Sequence, residues 1–405
     1  MVGTHFDRRL FWKMSSAMFI GGFAIFLLLY TTQPLFPIFS EQFEVSPAIA
    51  SLSLSVSTAT LAIAMLFTAG VSERFGKKQI MTLSLITSAL LTVFSAFSPS
   101  FSALLGLRVL LGITIAGLPA IAMAYIVEEF PKRTIGLAMG LYLAGNTIGG
   151  MTGRILTGIL ADYFSWKIAL LFVGALSLLC GVVFWRLLPN PRYQKKQTKL
   201  NLHEMFHPLF EHLKNVRLLC LYGLAFLLMG GFVTLYNYVT YYLLGAPYYL
   251  SHTFVSWIFL LYIMGTISST VMGRLADRIG RMTVLVIGLV LMLGGILLTL
   301  HPHLFMKTVA IALFTYGFFS CHTVASSSVG MNATHHKAHA SSLYLLFYYT
   351  GSSVFGTVGG FFWNRYEWYG VTSFISALIL GGFLLTLCLF VLQSNMKKSA
   401  KHNLN

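Results

Sequence analysis

The chain has 405 residues, of which 57% are hydrophobic and 9% charged, against about 25% charged in an ordinary soluble domain. That excludes a soluble globular enzyme, whose single core cannot absorb so much apolar surface, and a disordered chain, which needs low hydrophobicity and high charge. The formal charge of +16 would point to nucleic acid in a soluble protein, but here the basic residues sit between long apolar runs. They read as membrane topology, and no nucleic-acid partner is expected.

A spanning helix needs roughly 20 mostly apolar residues, because lipid offers no partner to an unpaired backbone group. In chain order the candidate spans are 14–38, 47–71, 79–97, 101–127, 136–161 and 167–188. The first run, Met14 to Phe36, is too long for a leader peptide and ends in Gln33-Pro34-Leu35-Phe36-Pro37, so no cleavable leader is expected. Next comes a polar stretch, 189–215, with Pro189, Pro191, five Lys/Arg and three His. It reads as a cytoplasmic linker with a short amphipathic helix near Leu202–Leu213, either lying on the inner leaflet or serving as a tether. Six further spans follow, near 216–243, 251–272, 282–300, 304–331, 341–363 and 370–393. The expected fold is all-α and integral to the membrane: twelve transmembrane helices in two six-helix bundles, 1–188 and 216–405, joined by the linker 189–215. Cys180, Cys220, Cys321 and Cys388 all fall in apolar runs, which gives neither a disulfide framework nor a metal site.

With the N-terminus placed inside, 22 of the 27 Lys and Arg fall in inner segments, and three, Lys167, Lys307 and Arg365, in outer loops. Both termini are therefore expected in the cytoplasm, in a multi-pass protein of the inner (plasma) membrane. The other two, Arg108 and Arg154, lie inside spans.

The two halves repeat. Ala69-Gly70-Val71-Ser72-Glu73-Arg74-Phe75-Gly76-Lys77-Lys78 corresponds to Gly273-Arg274-Leu275-Ala276-Asp277-Arg278-Ile279-Gly280-Arg281-Met282 at an offset of 204, and Leu141-Tyr142-Leu143 to Leu343-Tyr344-Leu345 at 202. Half the chain is the period, and six spans per half make the repeats parallel. An acid and a base on neighbouring helix ends can lock two bundles in one orientation, and glycine permits the tight turn. Glu73, Arg74, Gly76, Lys77, Asp277, Arg278, Gly280 and Arg281 are accordingly the candidate gating residues; a plain basic turn is the alternative.

At these residues the sequence resembles the major facilitator superfamily over nearly its whole length. The second loop copy is close to that family's G-x-L-a-D-R-x-G-R pattern, while the first has Ala69 and Glu73 in place of its Gly and Asp. Arg108 to Gly112 resembles the R-x-x-x-G motif of span 4 in the drug:proton antiporter branch. Gly145, Gly149 and Gly153 match that branch's glycine pattern in span 5, but Gly150 and Arg154 replace its Pro and last Gly. The resemblance implies two pseudo-symmetric six-helix bundles around a central cavity, alternating access, and no enzymatic activity or cofactor.

Charges inside a bilayer are costly and usually face a cavity. Arg108 and Arg154 each lie about seven or eight residues from an outer span end, roughly 10 Å deep, so together they are candidates to bind an anion bidentately. The alternatives are a strut on backbone carbonyls for Arg108, and for Arg154 a pair with Asp162 or an outward snorkel. None of the eleven acids lies mid-span, which disfavours a cationic drug as substrate. His322, mid-span, is a candidate proton carrier or a hydrogen-bonded structural group. His301, His303, His335, His336 and His339 lie in loops and read as surface residues, not metal ligands. Gln33 and Asn237, related by the 204 offset, and Asn146 in span 5 complete the candidate substrate-binding set of Gln33, Arg108, Asn146, Arg154, Asn237 and His322. Tyr30, Tyr142, Tyr236, Tyr262, Tyr344 and Tyr348 offer an aromatic and hydroxyl wall. Gly145, Gly149 and Gly153, at i, i+4, i+8, are expected to admit a helix of the other bundle. The function expected is a monomeric secondary transporter of a small organic solute, exporting it in exchange for protons. The alternatives are an importer or exchanger of an organic anion held by Arg108 and Arg154, and a receptor of the same fold that does not transport. No phosphate loop suggests an ATP-driven pump.

Overall fold

A computed structural model describes residues 8–190, 202–333 and 335–402, with the backbone alone at 69, 70, 73, 202–206, 208, 338 and 395–402. The described residues form helices and no strands, because a span must satisfy its own backbone. In order these are α1 Arg8–Tyr30, α2 Phe36–Gln42, α3 Pro47–Phe75, α4 Lys77–Ser95, α5 Phe101–Ile115, α6 Pro119–Glu129, α7 Ile135–Tyr163, α8 Trp166–Leu187, α9 Leu202–Leu213, α10 Val216–Leu244, α11 His252–Ser256, α12 Ile263–Ile279, α13 Arg281–Leu298, α14 Leu304–Asn332 and α15 Lys337–His402. The linker helix α9 occupies the residues expected of it.

Among the described residues, ten segments are long and apolar enough to cross a membrane. That is two fewer than the twelve expected spans. His339–Ser394 counts once, yet Glu367 at φ 49 and ψ −137 breaks it into two helices. The span at α7 is not among the ten; its glycines, Asn146 and Arg154 dilute its apolar character.

Local chemistry sets the ends. Ser100, Ser165 and Ser251 cap α5, α8 and α11 through their hydroxyls, and the Asn215 side chain caps α10. Gly76 and Gly280 turn α3 into α4 and α12 into α13 at φ 97 and φ 96, a region that favours glycine. These two turns are the repeat's signature at the level of the backbone.

The chain divides into two compact units. Unit 1 comprises Met1–Val45, Leu52–Leu200 and Leu250–Phe259; unit 2 comprises Ser46–Ser51, Asn201–Tyr249 and Leu260–Asn405. Ser46–Ser51 groups with unit 2 and Leu250–Phe259 with unit 1. In unit 1, α1 packs on α7 and α8, and α4 on α5 and α8. In unit 2 the corresponding elements pack alike, α10 on α15 and α13 on α14 and α15. Large apolar side chains such as Leu83, Phe94, Leu179 and Leu384 stay exposed, as lipid-facing positions require.

Candidate functional site

In unit 1 the site is built around the end of α1. Pro34 has no N–H to offer the Tyr30 carbonyl, so the helix stops and one 3₁₀ turn, Gln33–Leu35, follows. The last carbonyls of α1 then need other donors. Arg108, buried on α5, supplies them: Nη2 donates to Leu29 O at 2.8 Å and Nη1 to Leu28 O at 3.4 Å, while Nε donates to Ser53 O of α3 at 2.7 Å. The donors of Arg108 therefore point at main chain, not toward an anion shared with Arg154. The strut reading describes what they do.

Arg154 is set differently. From α7 its Nε donates to Gln33 Oε1 at 2.5 Å and its Nη1 to Gly150 O at 2.7 Å. Its guanidinium lies over the Tyr30 ring at 3.8 Å and the Phe259 ring at 5.3 Å. Asp162, the other partner considered for Arg154, instead accepts from Thr253 N at 3.0 Å and Thr253 Oγ1 at 2.6 Å, tying Leu250–Phe259 to α7.

The approach of α7 to α1 depends on glycine. A Cβ on Gly145, Gly149 or Gly153 would strike the backbone of Phe19, Phe23 or Leu27 in turn, at 2.5 Å for Gly153 against Leu27 O. This corrects the expectation that the row admits a helix of the other bundle: its partner is α1, of the same unit. At the same interface Asn146 lies over Gly22, with Tyr142 beside it, and among the described residues neither Asn146 Oδ1 nor the Tyr142 hydroxyl makes a well-formed hydrogen bond.

In unit 2, His322 Nδ1 and the Tyr344 hydroxyl are 2.9 Å apart. The imidazole stacks on Phe318 with ring centroids 5.9 Å apart and lies tilted against Tyr348 at 4.9 Å, and Phe318 stacks in turn on Phe232 at 4.0 Å. Tyr236 and Tyr262 extend this aromatic cluster. Asn237 donates through Nδ2 to Gly356 O at 3.2 Å, an interhelical bond between α10 and α15. At the 202 offset Gly356 is the counterpart of Arg154, so the related pairs Gln33–Arg154 and Asn237–Gly356 meet in both units.

The loops are engaged through Lys77 and Arg281, equivalent at the 204 offset. Lys77 pairs with Glu128 of α6, and Arg281 Nη1 donates to Ser328 at 3.2 Å and Ser327 at 3.3 Å, both on α14. Asp277, Arg278 and Arg74 are exposed and form no ion pair among the described residues; the side chain of Glu73 lies outside them.

Two clusters escaped the sequence. Lys307, assigned there to an outer loop, is buried inside α14: Nζ donates to Thr299 O at 2.5 Å and to the Tyr242 hydroxyl at 2.9 Å, and it lies over Tyr242 and Tyr248. Its place within an apolar run, flanked by aromatic residues in neighbouring spans, was the available signal. The second cluster joins α9 to the turn before α15. His335 Nε2 meets Glu211 Oε2 at 3.0 Å and its ring stacks on His212, 5.5 Å between centroids. That hydrogen bond from His335 holds the Glu211 carboxyl below its ordinary range.

The family model for the Major Facilitator Superfamily matches residues 18–248 and 237–403. An uncharacterized MFS-type transporter of Bacillus subtilis (strain 168), YybF, is 47% identical over 370 residues, covering 91% of each chain. The inner membrane transport protein YnfM of Escherichia coli (strain K12) is 40% identical, covering 91% of this chain and 88% of that one. A crystal structure of the nucleoside transporter NupG, in a mutant form, superposes with a TM-score of 0.76 at 16% identity, over 93% of this chain and 99% of that one.

Proposed function

The chain belongs to the major facilitator superfamily and is a membrane transporter of that type, and from this premise we propose that it exports a small organic solute bearing an anionic group. Arg154 holds the anion, Gln33 orients it, and Asn146 and Tyr142 supply hydrogen bonds to its polar remainder. His322, hydrogen-bonded to Tyr344, carries the coupling proton in place of a mid-span carboxylate. The protein works as a monomer in the inner membrane, with both termini in the cytoplasm, by alternating access, and the turns around Gly76 and Gly280 gate it.

What carries this is the setting of Arg154: a buried guanidinium fanned between a side-chain amide, a main-chain carbonyl and two aromatic faces. A carboxylate or phosphate can replace the amide at Nε with a stronger, charge-assisted bond. Export with protons is supported by the resemblance of 108–112 and 145–153 to the antiporter branch. Import or exchange of the same anion is the second reading, favoured by the absence of a mid-span acid.

The test is thermal unfolding of the purified protein with panels of organic anions, neutral solutes and lipophilic cations at pH 5.5 and 7.5. A ligand at 100 times its Kd stabilises by about 2.7 kcal/mol. Anions are expected to stabilise the wild type and not Arg154→Gln, and in proteoliposomes His322→Gln is expected to lose the dependence on a pH gradient. Stabilisation by lipophilic cations alone, equal in Arg154→Gln, refutes the assignment. Counterflow without a pH gradient separates exchange from export.

A further inference from the structure

Three Lys and Arg side chains are buried among the described residues: Arg108, Arg154 and Lys307. Two of them are engaged by the fold itself. Arg108 directs its donors to Ser53 O, Leu28 O and Leu29 O. Lys307 donates through Nζ to Thr299 O and to the hydroxyl of Tyr242, whose ring is held parallel to Trp368 at 4.8 Å. Arg154 differs, because Nε donates to the side-chain amide of Gln33. An amide on a rotatable side chain can swing aside where a helix carbonyl cannot, so Nε is where a solute's anion can enter.

The surroundings of Arg154 limit the shape and charge of that anion. A guanidinium is planar and donates only in its plane. Tyr30 lies over it at 3.8 Å, which is stacking distance, and Nη1 is turned to Gly150 O of its own helix. A carboxylate keeps both oxygens in the guanidinium plane. A phosphate monoester carries close to two charges at neutral pH and three terminal oxygens. At least one of those oxygens stands out of the plane, where the guanidinium has no donor and where, on the Tyr30 side, it meets the negative face of a ring.

A second carboxylate on the solute has the same difficulty, since a charge taken out of water needs its own partner. Arg108 and Lys307 are already engaged. The His322 imidazole is charged only while it carries the coupling proton, and in an exchange that proton leaves as the solute binds. On the reading that Arg154 is the anion site, we infer that the exported solute is a monocarboxylate: one planar carboxylate, with no second acidic group.

The experiment measures apparent Kd for the detergent-purified protein by thermal-shift titration at pH 7.5, with probes matched on two bodies. These are hexanoate, pentyl phosphate and adipate, and phenylacetate, benzyl phosphate and homophthalate. The wild type is expected to bind each monocarboxylate at least about tenfold more tightly than its phosphate or dicarboxylate match, as an unpartnered buried charge requires. Arg154→Gln is expected to lose every response. Gln33→Lys, which adds a second cation beside Arg154, is expected to bring adipate and homophthalate level with the monocarboxylates or above them. A phosphate or dicarboxylate that binds the wild type as tightly as its match, or a ranking that Gln33→Lys leaves unchanged, overturns the inference, while loss of response in Arg154→Gln still upholds the anion site. Binding of none of the probes, or binding that Arg154→Gln keeps, overturns the anion site and this inference with it. If Gln33→Lys does not fold, the wild-type ranking decides alone.

Discussion

Arg108 and Arg154 look alike in the sequence and act differently in the structure, and one pair of substitutions separates them. Arg108→Gln takes the donors from two well-formed bonds, to Ser53 O at 2.7 Å and Leu29 O at 2.8 Å, and from a long one to Leu28 O at 3.4 Å. A buried acceptor left without a donor costs about 1–3 kcal/mol, so two of them cost about 2–6 kcal/mol. Two effects reduce that figure: hydrogen bonds in membrane interiors average about 0.6 kcal/mol, and removing a buried charge relieves its desolvation. A net loss of about 2–4 kcal/mol is expected, with Arg108→Lys recovering less than half because an ammonium cannot span three carbonyls as a planar fork does. Thermal unfolding in detergent, with and without a stabilising anion, reads stability and binding in the same samples. Arg108→Gln is expected to unfold early and still respond to the anion, and Arg154→Gln to keep more of its stability and lose the response. An Arg108→Gln protein with wild-type stability and no response refutes the strut.

Gly149→Val drives a side chain into the Phe23 backbone and is expected to cost about 1–3 kcal/mol by overpacking; Gly140→Ala, exposed inside α7 with open space around it, is expected to raise stability by about 0.5–1 kcal/mol through helix propensity. Asp162→Ala removes both acceptor contacts to Thr253; hydrogen exchange across 250–259 is expected to quicken by a few-fold, as an exposed bond of about 1 kcal/mol allows. Because Glu211 titrates below its ordinary value of 4.5 in the structure, its contribution to holding α9 is present above about pH 4.5 and disappears as the pH falls through the lowered value. Protection factors of α9, corrected for intrinsic exchange, are expected to show that step in the wild type and not in His335→Ala.

Much of this architecture is legible because lipid narrows the choices. Apolar run length gives the spans, the linker helix at Leu202–Leu213 shows in its own periodicity, and the turns at Gly76 and Gly280 show in the loop repeat. What the sequence hides is direction. Arg108 and Arg154 sit at similar depth on similar helices, and only the fold shows that Arg108 meets the Leu28 and Leu29 carbonyls near the end of α1. The glycine row announces a close helix without saying which one; its partner α1 lies more than a hundred residues away in the chain. Lys307 reads as a loop cation because its acceptors, Thr299 O and the Tyr242 hydroxyl, come from another helix end and another span.

The repeat also shows where to look for chemistry. Positions that stay equivalent between the halves do similar mechanical work in both: Gly76 and Gly280 make the same turn, and Lys77 reaches Glu128 on α6 as Arg281 reaches Ser327 and Ser328 on α14. A transported solute is asymmetric, so the groups that recognise it need not obey the repeat. The departures fall on the candidate residues. Arg154 corresponds to Gly356, Asn146 to Tyr348, and His322 to Ala120 at the 202 offset, while Tyr142 and Tyr344 keep the hydroxyl common to both sides. One unit thus carries a fixed cation with amides and the other a titratable imidazole in an aromatic stack. A permanent charge cannot change state during a cycle, whereas an imidazole can. On the function proposed above, that difference assigns anion binding to Arg154 and proton movement to His322, and exchanging the two roles by mutation is expected not to yield a working transporter.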